Sequence, residues 1–240
     1  MYEQRTYRHD IKGRDLVSFQ AVVKETDLYI RAVKNLSVEA VAAINEVRGP
    51  LERYIRLHPL FLHSLEPVPV EKDAPDIVRL MAEVAEAVGV GPMAAVAGAV
   101  AEMVGKQLLD YSPEIIVENG GDIFMKTGTK RLIGICAGKS CYTGKLAIEV
   151  EPARDPLGIC TSSGTVGPSL SLGITDATIA VSPSAALADA AATAVGNRVK
   201  SADDIEGALE YGQGINGLTG IVIIVGDKLG AWGDVKLVKL

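Results

Sequence analysis

The sequence predicts an α+β protein with antiparallel sheets, and two features of the chain indicate it. Segments with strand-like and helix-like hydrophobic spacing come in blocks, in the order strands, helices, strands, helices, strands. The strand-like segments are short and are separated by Gly, Pro, Lys and Ser, which favours antiparallel hairpins. No shift in composition marks a linker, so we expect one domain over residues 1–240, and the block order indicates two related halves.

The elements follow from the hydrophobic pattern and from the residues that interrupt it. Ser37 is expected to cap the first helix and Pro50 to kink or interrupt it, and the Pro-rich stretch 59–75 is expected to be a loop. The predicted elements are, in chain order, a hairpin over 17–32, helices over 38–55, 76–88 and 92–109, strands over 115–117, 123–126, 132–136, 146–150 and 177–181, helices over 184–195 and 202–211, and strands over 220–225 and 234–238.

The composition is that of a globular protein with a core of small aliphatic residues. Hydrophobic residues make up 48% of the 240 residues, but only 5% are aromatic, so Ala, Val, Ile and Leu must fill the core. The 24 Lys and Arg residues are outnumbered by 30 Asp and Glu, and no basic block is present. This charge distribution argues against nucleic acid as a partner.

The distribution of apolar residues favours a cytoplasmic protein without membrane contact. Residues 1–15 mix acids and bases and contain no apolar region of a secretion signal. The longest uncharged stretches, 88–101 and 190–197, are shorter than the roughly 20 residues that span a bilayer. The three cysteines, Cys136, Cys141 and Cys160, fit no common zinc spacing and are expected to be reduced, partly buried thiols.

An alanine-rich helix over 184–195 carries the most informative polar residues. Asp189, Thr193 and Asn197 are spaced by four and therefore form one polar line on an apolar helix. Burying a carboxylate there is costly without a cation or several donors, and the oxygens of Asp189 and Thr193 suit Mg²⁺. The alternative is that the line faces solvent, or that Asp189 caps a neighbouring loop.

Three glycine-containing segments could approach a ligand. Gly120 and Gly121, flanked by Asn119 and Asp122, leave backbone accessible, although Asn-Gly between β-rich runs also predicts a tight hairpin turn. In the second segment, hydroxyls and backbone amides could donate hydrogen bonds to phosphate oxygens. Alternatively, this segment is simply a loop. Gly98 lets a flat ligand or another backbone come close, and packing is its commoner use. The second segment runs from Cys160 to Gly167, and its candidate binding residues are Ser162, Ser163 and Gly164.

The histidines do not support a catalytic triad. His9, His58 and His63 all lie in the first quarter of the chain, and nothing places them with a nucleophile. Surface or capping roles are expected for them.

Segments 119–122, 163–164 and 188–194 resemble the ApbE superfamily, the flavin transferases that bind FAD and attach FMN to proteins. They follow one another in the order and approximate spacing of those transferases. Over nearly its full length the chain is also similar to a group of cytoplasmic ApbE-like proteins of archaea and bacteria. The residues that carry this closer similarity are Thr26-Asp-Leu, Gly91-Pro-Met-Ala, Val117-Glu-Asn-Gly-Gly-Asp and Gly173-Ile-Thr-Asp-Ala.

The resemblance implies a duplicated T-fold with paired helices on antiparallel sheet, and it implies a site. Asp189 and Thr193 would bind Mg²⁺ together with a backbone carbonyl near Val96. Gly120, Gly121 and Asp122 would help to form a pocket for FAD or FMN. The expected partner is therefore a small nucleotide.

Two departures from the transferases leave the activity open. Residues 164–182 contain no histidine where the transferases have His-x-x-Asp-Pro, and Ala97 stands where they have Lys. The leading hypothesis is Mg²⁺-dependent binding of a flavin or related nucleotide, with nucleotide transfer or pyrophosphate cleavage. The alternatives are a non-catalytic binder of a flavin or pterin-like metabolite, and a structural role in which the small residues serve packing and homo-oligomer formation.

Overall fold

The computed structural model describes residues 15–166 and 171–240. The helices are α1 (Ser37–Leu57), α2 (Pro59–His63), α3 (Asp76–Val88), α4 (Val96–Leu108), α5 (Ala185–Gly196) and α6 (Ile205–Gln213), with 3-10 turns at Pro92–Ala95 and Ala202–Asp204. The strands are β1 (Val17–Val23), β2 (Thr26–Ala32), β3 (Ile115–Asn119), β4 (Asp122–Lys126), β5 (Arg131–Gly134), β6 (Leu146–Val150), β7 (Leu157–Ser162), β8 (Ala177–Ser182), β9 (Gly220–Val225), β10 (Lys228–Gly233) and β11 (Lys236–Lys239).

Eight strands form one antiparallel sheet in the order β1-β2-β3-β4-β7-β8-β9-β10. The chain contributes to this sheet in two halves with the same order of elements: a hairpin, a group of helices and a second hairpin. In sequence, α1 to α4 lie between β2 and β3, and α5 and α6 lie between β8 and β9. The halves join where β4 pairs with β7, with Ile123 opposite Ile159. The predicted α+β class with antiparallel sheets is confirmed, and the repeated element order is that of the duplicated fold.

The two faces of the large sheet are covered differently. The helices pack on one face, in a core that includes Leu28, Phe61, Met81 and the alanines of α5. On the other face β5, β6 and β11 form a small antiparallel sheet in the order β11-β6-β5, whose Ile133 and Ile148 belong to a second aliphatic core. The site discussed below lies on the helical side.

Small residues let α5 approach the sheet and α4 closely. Seven of its residues are buried alanines: Ala185, Ala186, Ala188, Ala190, Ala191, Ala192 and Ala194. A Cβ on Gly158 of β7 would lie 2.4 Å from the Cα of Ala185, so strand and helix touch through backbone. The alanine content therefore has a packing reason, because larger side chains would push the layers apart.

Several elements differ from the predictions. Strands β7 and β10 were not predicted, because neither contains a continuous hydrophobic run. Gly, Cys, Thr and Ser interrupt β7, and two glycines interrupt β10. Helix α2 lies inside the predicted loop, and α1 continues through Pro50. Ser37 donates to Asn35 and is the first helical residue, so it is not the cap.

Among the described residues, no single helix is both long and apolar enough to cross a bilayer. The helices Asp76–Val88 and Pro92–Leu108 reach that length only as a pair, which is bent by 104°.

Candidate functional site

Asp189 meets the N-terminus of α4. Its Oδ2 accepts a hydrogen bond of 2.8 Å from the backbone amide of Gly98, the third residue of that helix. The first amides of a helix lack partners within it, so a carboxylate from another helix satisfies one here. The contact needs glycine: a Cβ on Gly98 would lie 2.3 Å from the Ala185 carbonyl oxygen and 2.7 Å from Cβ of Asp189.

The 119–122 turn lies against the same helix end. It joins β3 to β4, and Gly120 and Gly121 have φ of +69° and +109°, a region that favours glycine. The side-chain amide of Asn119 donates to the Ala97 carbonyl at 3.1 Å. The amide of Gly121 donates to Oε1 of the buried Glu118 at 2.9 Å. The predicted hairpin turn is present, and the turn and Asp189 both contact the start of α4.

Asp122 and Cys160 occupy neighbouring strands beside Asp189. Asp122 is buried, and its Oδ1 accepts from the amide of Thr161 at 3.1 Å. Cys160 of β7 is fully buried, and its thiol donates to the Ala185 carbonyl at 3.2 Å and interacts with the Asp122 carboxyl. We call the arrangement of Asp122, Asp189, Cys160, Asn119 and the Gly98 amide the two-carboxylate site.

The electrostatics of the two-carboxylate site favour protonated acids when no cation is present. Burial, with the neighbouring charge of Glu118, raises the pKa of Asp122 from 3.8 to about 7, despite the hydrogen bonds from Thr161 and Cys160. Burial and the charge of Asp122 hold the pKa of Asp189 well above its usual range. Burial likewise raises the pKa of the Cys160 thiol, next to both acids.

The remaining predicted metal ligands extend along α5 and to the start of α4. Thr193 and Asn197 lie one and two turns after Asp189, and all three are half-buried. Asn197 Oδ1 accepts from the amide of Leu172 at 2.7 Å. Val96, also half-buried, is the first residue of α4, two residues before the Gly98 amide. Ligation by Asp189, Thr193 and Val96 stays a prediction.

The 162–164 loop lies toward the other end of this polar line. Ser162 pairs with Thr178 at the end of β7. Ser163 accepts from the amides of Thr165 and Val166 at 3.1 and 2.9 Å. A Cβ on Gly164 would lie 2.1 Å from the Gly173 carbonyl oxygen, and one on Gly173 would lie 2.0 Å from that of Gly196 at the end of α5. Close backbone packing therefore accounts for both glycines.

The donor set fits a hard cation that shares its ligands with a substrate. The described part of the chain holds no group of three or more His, Cys, Asp or Glu placed to bind a metal by themselves. Mg²⁺ is usually bound by one or two carboxylates, with water and phosphate oxygens completing its shell. Asp189 and Asp122 supply two such carboxyls, although each also accepts hydrogen bonds from the protein, Asp189 from the amides of Gly98 and Ala97 and Asp122 from the Thr161 amide and the Cys160 thiol.

The structure also shows residues that the sequence did not single out. Cys160 was expected to be an ordinary thiol in a loop, because the strand β7 was not predicted. Glu102 of α4 is 3% exposed and contacts α5. A lone acid inside the apolar run of α4 could have indicated it, by the same argument that indicated Asp189.

The described histidines lie on other elements. The ring of His58, at the end of α1, stacks on that of Tyr54 with centroids 4.1 Å apart, and His63 ends α2. His9 falls outside the described residues.

Comparison with known proteins identifies the family. A family model with the description "AbpE bacteria" matches residues 8–235. The chain is 44% identical to the UPF0280 protein MJ1526 of Methanocaldococcus jannaschii, over 91% of each chain, and 40% identical to a UPF0280 protein of Methanocella arvoryzae, over 90% of this chain and 89% of that one.

Among solved structures, the flavinyl transferase ApbE of Pseudomonas stutzeri in its apo form superposes with a TM-score of 0.54 at 13% identity. The match covers 91% of this chain and 94% of that one. At this identity the likeness shows the fold alone. The repeated hairpin–helix–hairpin order of this chain agrees with it. The family match over nearly the whole length and the shared fold lead to one conclusion: the chain belongs to the ApbE-like family.

Proposed function

We propose that this protein binds a flavin nucleotide, FAD or FMN, together with Mg²⁺ at the two-carboxylate site. The observation that carries the proposal is the pair of the buried Asp122 and the half-buried Asp189, which lie on the same side of the sheet and close enough that the charge of Asp122 raises the pKa of Asp189. Like charges in such a place are costly unless a cation joins them. A divalent cation would remove that cost.

Family membership supports the flavin part of the proposal. The Pseudomonas stutzeri protein that shares this fold is named a flavinyl transferase. Two of the three segments that resemble such transferases in sequence lie near one another, since the 119–122 turn and Asp189 both contact the first turn of α4. This proximity is what a shared ligand site requires.

Each group of residues would have a separate role in binding. Asp189 and Thr193, with the Val96 carbonyl, would hold the metal, and Asp122 would add the second negative charge. Mg²⁺, when bound, would supply neutralisation of phosphate charge. Gly120 and Gly121 would let the ligand approach backbone, while the hydroxyls of Ser162 and Ser163 would face phosphate oxygens; the Gly164 amide already donates to the Thr175 carbonyl at 2.9 Å.

Titration calorimetry tests the binding. We expect FAD to bind in the presence of MgCl2 and much more weakly in EDTA, and Asp189→Asn to weaken binding by about tenfold or more. Asp204→Asn is the matched control, because Asp204 also accepts backbone amides, from Lys200 and Ser201, at a different helix start. The proposal fails if FAD does not bind, or if both variants bind FAD as the wild type does.

Whether bound FAD is cleaved or transferred is a second question. The chain carries no histidine over residues 164–182, where the resembled transferases have one, and this favours a binder without catalysis. Incubation with FAD and MgCl2 followed by chromatography separates the two functions. Release of AMP would establish pyrophosphate cleavage or FMN transfer, and intact FAD would establish a binder.

A further inference from the structure

Helices α4 and α5 cap each other. The Glu102 Oε2 atom on α4 accepts from the Ser184 hydroxyl at 2.8 Å and from the Ala186 amide at 3.1 Å, at the start of α5. In return Asp189 on α5 accepts from the Gly98 amide at the start of α4. Each helix thus supplies the carboxylate that satisfies an amide in the other's first turn.

Glu102 is buried and fully engaged. It is 3% exposed, and its second oxygen, Oε1, pairs with the ammonium group of Lys106 at 2.7 Å. A buried acid is retained at low cost only when hydrogen bonds and a countercharge surround it, and Glu102 has both. Its neighbours Ala101 and Val104 are buried apolar residues, so the hydrophobic pattern alone would place no charge here.

The distance along α5 links the two caps. Ala186 precedes Asp189 by three residues, less than one turn of helix. The hydrogen bond between the Ala186 amide and Glu102 therefore fixes the rotation of α5 about its axis and the position of the turn that carries Asp189 along that axis. Gly98 makes this arrangement tight, because α4 has no side chain there to hold the helices apart.

We propose that Glu102 is a positioning residue for the two-carboxylate site: through the first turn of α5 it holds the Asp189 carboxylate at the Gly98 amide. Its consequence for ligand binding rests on the function proposed above. Glu102 itself touches neither Asp122 nor the 119–122 turn through the contacts described, so it acts through α5.

Hydrogen exchange of the Gly98 amide tests the positioning without any ligand. Glu102→Ala removes the cap, while Glu102→Gln keeps an oxygen that can accept from Ala186. Val222→Ala is the control, because Val222 is fully buried on β9 in the core on the other face of the sheet. Rates are measured by NMR at a temperature where every variant is folded, and the Gly98 rate is compared with that of Val104 in the same helix.

We expect Glu102→Ala to accelerate Gly98 exchange selectively by about tenfold, the factor that the loss of one cap corresponds to, and Glu102→Gln to restore most of the protection. The positioning role is overturned if Gly98 exchanges at the wild-type rate in Glu102→Ala, or if Val222→Ala accelerates it equally. If Glu102→Ala does not fold, Glu102→Asp replaces it, since the shorter side chain cannot reach both Ala186 and Lys106.

A calorimetric titration with FAD and MgCl2 then tests the consequence for binding. We expect Glu102→Ala to bind about tenfold more weakly and Val222→Ala to bind as the wild type does. Equal affinities of wild type and folded Glu102→Ala would overturn that consequence. Absence of binding by the wild type would contradict the proposed function alone, because the exchange measurement decides on Glu102 independently.

Discussion

Asp122 is a buried carboxyl within the large sheet, where a negative charge is unfavourable. It begins β4, where the backbone of β7 offers one amide, from Thr161, and burial removes it from water. A structural role alone would be served by asparagine, which can accept the same hydrogen bond. A carboxyl at this position is what the proposed binding of Mg²⁺ would require.

The pH dependence of stability follows from the raised pKa of Asp122. The folded protein keeps this proton up to about pH 7, whereas the unfolded chain loses it near pH 4, so the carboxyl lowers the stability progressively as the pH rises from about 4 to about 7. Asp122→Asn removes this effect. In urea unfolding of the ligand-free protein, we expect Asp122→Asn to increase the free energy of unfolding more at pH 8 than at pH 5, by at most about 3 kcal/mol.

Asp204→Asn is the control for this measurement, with the opposite sign. Backbone amides of Lys200 and Ser201 lower the pKa of Asp204, so its charge stabilises the fold at neutral pH and its removal should cost stability at pH 8. An equal effect of Asp122→Asn at both pH values would show that the Asp122 proton is not linked to folding.

The cysteines should differ in reactivity. Cys141 is exposed, Cys136 is half-buried and Cys160 is fully buried with a raised pKa. An aromatic disulfide reagent should label Cys141 first and leave Cys160 unmodified until the protein unfolds, because the reactive thiolate is disfavoured there. Mass spectrometry of digests identifies the labelled positions. Early labelling of Cys160 in the folded protein would contradict its placement between β4 and α5.

At the scale of elements, the contact between α4 and α5 depends on one glycine. Gly98→Ala would place a Cβ 2.3 Å from a backbone oxygen of α5, and we expect a loss of roughly 2 kcal/mol or more in the free energy of unfolding. Gly207→Ala in α6 is the matched control, because nothing lies within 4 Å of its added Cβ. It should gain about 0.5 to 1 kcal/mol through helix propensity.

Urea denaturation of the two variants measures this difference. Equal changes in both would mean that Gly98 matters only through propensity, and the close approach of the helices would then be wrong.

The limits of sequence reasoning are also visible at this scale. Helix α5 was predictable within one or two residues, because alanines and a polar line of Asp189, Thr193 and Asn197 identify it without tertiary information. Strand β7 was not predictable, since a segment containing Gly158, Cys160 and Thr161 has no strand-like run and pairs only because β4 and β8 lie on either side. The sequence therefore indicated the helix and the turn of the candidate site, but not the position of Cys160 between them.

Packing also decided between alternatives that the sequence left open. Gly98 and Gly164 could have served ligand approach or close packing, and backbone atoms of 185 and 173 occupy the space where their Cβ atoms would lie. Asp189 was expected either to bind a cation or to cap another segment. The structure shows the cap, in which Asp189 accepts from the amides of Gly98 and Ala97, and the cation hypothesis is left to experiment.

For the whole molecule, the continuous sheet predicts cooperative unfolding. The pairing of β4 with β7 and the mutual caps of α4 and α5 tie the two halves together. Most helical residues, in α1, α3 and α4, belong to the first half, whereas the single tryptophan, Trp232, lies on β10 in the second. Far-UV circular dichroism and tryptophan fluorescence should therefore give the same urea midpoint. Two separated midpoints would show halves that unfold independently.

The most direct test of the proposed function is a crystal structure of the protein with FAD and MnCl2, in which Mn²⁺ replaces Mg²⁺ and reveals itself by anomalous scattering. The account predicts an anomalous peak at the oxygens of Asp189 and Thr193, with flavin density against the 119–122 turn. A metal peak and flavin density elsewhere, such as the 520 Å³ cleft lined by Glu46, Pro50 and Lys72 between α1 and α3, would contradict it.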